Sequence, residues 1–78
     1  LNLTRAFLAH GARDVVASRW AVGDASAVAL MTAFYRGLLE QGLEPEAALA
    51  AAQRTLAADP RWRAPFHWAG FVVAGAAP

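Results

Sequence analysis

The sequence has no cysteine and no lysine. The first absence excludes a disulfide framework, a thiolate metal site and a cysteine nucleophile within these 78 residues. The second makes all seven positive charges arginine, scattered among six acids for a net charge of +1. No basic stripe results that would track phosphates, which argues against a nucleic-acid partner. Long apolar runs are missing as well, since none approaches the ~18 to 20 residues that span a bilayer, and no charged start with an apolar core reads as a signal peptide. The expectation is a cytoplasmic setting with no membrane partner. No His/acid pair stands at metal spacing, and there is no phosphate loop, dinucleotide fingerprint or pair of catalytic carboxylates. Neither a metal nor a cofactor is expected.

What is present is apolar: 58% hydrophobic residues against 17% charged. A chain this short buries only about 60% of its surface on folding. More apolar surface is encoded than a lone fold hides, so further chain or a partner is expected to cover the surplus.

Leu3, Ala6, Phe7 and His10 recur at helical spacing, which predicts a helix over Leu1–His10, closed by Gly11 as a left-handed end residue with His10 favourable near the negative end of the dipole. Val15–Ser18 is a short β-branched apolar run that predicts a strand buried on both faces. A helix feeding such a strand suggests a parallel α/β sheet whose partner strands lie elsewhere. Arg19–Gly23 reads as a loop, with Asp24 or Ser26 available to cap the next helix. That helix, Ala25–Leu39, carries Val28, Met31, Phe34, Tyr35, Leu38 and Leu39 as its expected apolar stripe and ends at Gly42. A second helix opens at Pro45 with Glu44 and Glu46 near its positive end, turns Leu49, Ala52 and Leu56 inward, and stops at Asp59 and Pro60. Its alanines suit close approach to a neighbour. An irregular loop with Trp62, Phe66 and Trp68 leads to a strand over Phe71–Ala74 and a frayed tail. The order is helix, strand, helix, helix, strand, an α/β fragment whose incomplete sheet needs at least one strand more.

Candidate functional residues gather where the first strand ends, because open α/β sheets place ligands there. Ser18 is suited to ligand contact by hydroxyl or backbone, but it lacks a nucleophile elbow and a neighbouring base. Trp20 either covers the sheet edge or walls a cleft. Asp24 is a helix cap or a partner for a cation, and Arg19 is the nearest positive charge. His10 reads as a solvated residue at a helix end and His67 as a loop histidine packed among Phe66 and Trp68. Arg61 and Arg63 read as solvated.

Five blocks, taken in order, resemble the C-terminal part of CHAT domains: "RAFL" with "GAR" shortly after it, "VVASRWAVGD", "LMTAFYRGL", the Pro- and Ala-rich "EPEAALAAAQRTL", and "PFHWAGFVVAG". These are caspase-like domains, related to caspases and separases, often found beside tetratricopeptide repeats in bacterial proteins. The resemblance implies the C-terminal portion of a three-layer α/β/α cysteine peptidase fold, with the catalytic His and Cys upstream of Leu1. It implies no catalytic residue within this chain, and places Ser18, Arg19, Trp20 and Asp24 beside the substrate. In this picture Ser18 and Arg19 offer backbone groups to a peptide, Trp20 an apolar wall and Asp24 a charge. Ala21, Gly23 and Ala25 stand where the family more often has an acid or a proline, which weakens charge-based selection. The implied partners are the remainder of the domain, a peptide or protein substrate and tetratricopeptide-type repeats in the same protein. The alternatives are an inactive CHAT-like scaffold and a self-contained helical interaction module.

Overall fold

The computed structural model describes the backbone of residues 5–9 and 14–75 and the side chains of residues 16–73. Strands β1 (Arg5–Ala9) and β2 (Asp14–Ser18) are followed by helices α1 (Asp24–Glu40) and α2 (Pro45–Ala58), a single 3-10 turn at Pro65–His67, and strand β3 (Phe71–Gly75). The strands form one sheet in the order β1-β2-β3, antiparallel at both junctions.

Two sequence expectations are corrected here. The segment expected to be helical is a strand over Arg5–Ala9, paired residue for residue with β2 from Arg5 opposite Ser18 to Ala9 opposite Asp14. Apolar residues over so few positions fit a period of 3.6 or of 2, and here pairing along the open side of β2 decides between them. His10, the end at Gly11 and positions 76–78 of the tail lie outside the described residues, while Gly75, expected to fray, is paired with Asp14 at the end of β3. Among the described residues the sheet is antiparallel rather than parallel.

Val16 opposes Val73, and Ser18 opposes Phe71. Val16, Val73 and Phe71 therefore share one face, and all three join the cluster built by Ala27, Leu30, Met31 and Phe34 of α1 and Ala48, Leu49, Ala52 and Leu56 of α2. Both helices thus lie on that face, and the molecule is 16 Å deep in its shortest dimension, as two layers require. Ala17 and its partner Val72 belong to the opposite face, Ala17 fully buried and Val72 half-buried.

The buried arc of α1 differs from the expected stripe. Ala27, Leu30, Met31 and Phe34 are buried with Gly37, and Leu38 is partly so, whereas Val28 is 65% and Leu39 80% exposed and Tyr35 also faces outward. The arc is fixed by α2: a Cβ on Gly37 would come within 3.2 Å of the Ala48 Cβ, so the two helices cross there almost backbone to backbone. Ala25, Val28, Thr32, Tyr35 and Leu39 form a second, exposed row at alternating spacings of three and four. The cap expectation is also revised. Gly23 is the N-cap, no side chain caps the amides, and the Ser26 hydroxyl donates back to the Gly23 carbonyl at 2.9 Å. Asp24 instead occupies the first turn, where a carboxylate favours the helix dipole. The far end of α1 is as expected, with Gly42 at φ 66° and the Leu43 amide donating to the Gly37 carbonyl at 3.0 Å.

Candidate functional site

The site starts from the last residue of β2. Ser18 is fully buried, and its hydroxyl donates to the Trp20 carbonyl and accepts from the Trp20 amide at 3.4 Å. One hydroxyl thereby closes a tight turn that swings the chain out of the ladder at Trp20. The next amide, of Arg19, donates to the Gly70 carbonyl at 3.0 Å and extends the contact with the segment entering β3.

Trp20 lies across that segment. Its indole N–H donates to the Phe66 carbonyl at 2.8 Å, and the two rings stack with centroids 6.2 Å apart and an interplanar angle of 19°. A Cβ at position 70 would stand 2.8 Å from Cε2 and Cζ2 of the indole, so the ring rests directly on the Gly70 backbone. Only glycine permits this approach. Trp20 remains 36% and Phe66 52% exposed, which leaves a continuous aromatic surface at the end of the central strand.

The segment is tied back to the helices by Gln53 of α2, whose side-chain amide donates to the Trp68 carbonyl at 2.8 Å and the Phe71 carbonyl at 3.2 Å. Trp62 and His67 pack edge to face at 5.3 Å, and His67 also meets the Phe66 ring at 5.7 Å, so the half-buried His67 sits inside an aromatic group. Arg61, expected to be solvated, is exposed yet pairs with Asp59: its guanidinium reaches both carboxylate oxygens, at 3.2 and 2.9 Å, and its amide donates to the same group at 2.9 Å. The side-chain hydrogen bonds from Arg61, then its backbone amide, hold the Asp59 carboxyl below the usual carboxylate range, and the side-chain bonds, then the Asp59 charge, raise the Arg61 guanidinium.

Of the residues singled out in the sequence, Ser18 and Trp20 are brought together, with Arg19 joined to them through its backbone. Arg19 presents an exposed side chain, and Asp24 stands exposed at the start of α1. β2 is central, so the backbone of Ser18 lies in a ladder with Arg5 on one side and Phe71 on the other. Phe66, Gly70 and Gln53 complete the arrangement and were not among the candidates. Gly70, between an aromatic loop and a strand, was the one signal available for them, because glycine there marks a close approach. What the arrangement presents to solvent is the stacked, partly exposed pair Trp20 and Phe66. Among the described residues no three His, Asp or Glu side chains come together to hold a metal, and no helix is long and apolar enough to cross a membrane.

An antiparallel sheet under two helices, with an exposed aromatic surface where its central strand ends, makes a small α/β unit. The chain matches the family model of the CHAT domain over residues 1–76 and belongs to that family. It is 42% identical over 75 residues to human tetratricopeptide repeat protein 28 and 40% identical over 73 residues to the mouse protein of that name. These alignments cover 96% and 94% of the chain but only 3% of either relative. No solved structure matches it at comparable stringency.

Proposed function

We propose that this chain is the substrate-binding and structural C-terminal part of a CHAT-type cysteine endopeptidase domain with a caspase-like three-layer fold, working in the cytoplasm. The catalytic His and Cys belong to the preceding part of the domain, and the chain alone hydrolyses nothing. The observation that carries this reading is the Trp20 wall, fixed at the end of the central strand by the Phe66 carbonyl and the bare Gly70 backbone. Family membership supports it. Within this reading Trp20 packs against an apolar part of a peptide, and Arg19 and Asp24 supply charge at its margins. Ser18 acts through the turn it closes, since its hydroxyl and its strand backbone are engaged within the fold. In the intact domain, Trp20→Ala should raise KM for peptide hydrolysis several-fold with a smaller change in kcat, the pattern of lost binding. An unchanged KM would remove Trp20 from the substrate site.

A second reading is favoured by the exposed row Val28, Tyr35 and Leu39 on α1. The domain is then an inactive scaffold, and this helix face packs against tetratricopeptide-type repeats of the same protein, repeats that the relatives' names contain. Peptide turnover by the intact domain that disappears when its upstream cysteine is replaced decides for the peptidase.

A further inference from the structure

We propose that Gln53 is the positioning residue of the Trp20 wall, acting from α2 through the loop that carries Phe66 and Gly70; this rests on Trp20 being the substrate wall. A glutamine amide has two N–H donors, and both are used here, one on the Trp68 carbonyl and one on the Phe71 carbonyl. These carbonyls bracket Gly70. Between them lie the groups that place Trp20: the Gly70 backbone under the indole and the Gly70 carbonyl that takes the Arg19 amide. The remaining anchor of the ring, the Phe66 carbonyl, belongs to the same loop. Trp20 is thus seated on the loop, and the loop is fastened by hydrogen bonds to the helical layer through one half-buried side chain.

The requirement at position 53 is for donors. A carboxylate of the same shape would put negative oxygen against two carbonyl oxygens, while an ammonium would supply donors to both. The experiment uses the intact protein with its indole nitrogens labelled, and follows hydrogen exchange at the Nε1–H groups of Trp20, Trp62 and Trp68 by NMR. Gln53→Glu at neutral pH should speed exchange at Trp20 by about tenfold, the scale of one lost hydrogen bond, and leave Trp62 unchanged. Gln53→Lys should keep Trp20 within about twofold of the parent, well inside that one-bond scale. Gln53→Met, of similar length and without donors, repeats the loss should the glutamate variant fail to fold. No acceleration at Trp20 in either Gln53→Glu or Gln53→Met would overturn the inference. So would equal acceleration at Trp20 and Trp62, which marks general loosening, or a lysine variant as impaired as the glutamate one. In the same variants, Trp20 released with an unchanged peptide KM would uphold the role of Gln53 and sink the substrate-wall reading instead.

Discussion

A methyl group at position 70 would overlap the Trp20 indole, so Gly70→Ala must either push the ring off the loop or bend the loop away from β2. Overpacking of this kind costs about 1 to 3 kcal/mol. Urea unfolding should show that loss, and in a Trp20→Ala background Gly70→Ala should cost much less, because the two changes act on one contact. Asp59 makes a separate prediction. Its carboxyl is held below the ordinary range by Arg61, so the contribution of the pair is present above the unfolded-state pKa and is lost as pH falls through the lower folded value. Arg61 is exposed and Asp59 only half-buried, so the effect of the pair is small. Comparing urea midpoints at pH 7 and pH 3, Asp59→Asn should lose less on acidification than the parent does.

At the scale of elements, Leu30 and Leu39 are both leucines of α1, one fully buried and the other 80% exposed. Leu30→Ala should cost about 2 to 5 kcal/mol, the range for a core leucine. Leu39→Ala should stay within about 0.5 kcal/mol, and chemical denaturation of the two variants tests which arc of the helix is inside. Apolar period alone leaves this open, because α1 carries large apolar residues around much of its circumference. The arc is chosen by Gly37, which brings Ala48 of α2 against it, and a periodicity count gives glycine no weight. The ends of the helices are better written: Pro45 opens α2, Asp59 terminates it and Gly42 turns the chain after α1. For β1 the local pattern was insufficient, since a strand at the edge of a sheet is defined by its pairing partner. Ser18 and Trp20 could be found from their place after a buried strand. Phe66 and Gln53 could not, because Phe66 meets Trp20 from 46 positions away and Gln53 acts on the loop beneath the ring through the Trp68 and Phe71 carbonyls, 15 and 18 positions further on.

For the whole molecule, the pairing of β2 with β3 closes the fold around both helices, and Ser18 and Phe71 face each other from 53 positions apart. Truncation before Phe71 should therefore abolish cooperative unfolding as well as lower stability, which thermal melts followed by circular dichroism would show. A transition that remained sharp would mean that β1, β2 and the helices suffice alone. The antiparallel pairing has a further result in time. A ribosome makes β2 long before β3, so one edge of the central strand must wait through the synthesis of both helices with its hydrogen-bonding groups unmatched. That interval is when this chain is most open to pairing with the wrong strand, and it ends only when β3 emerges.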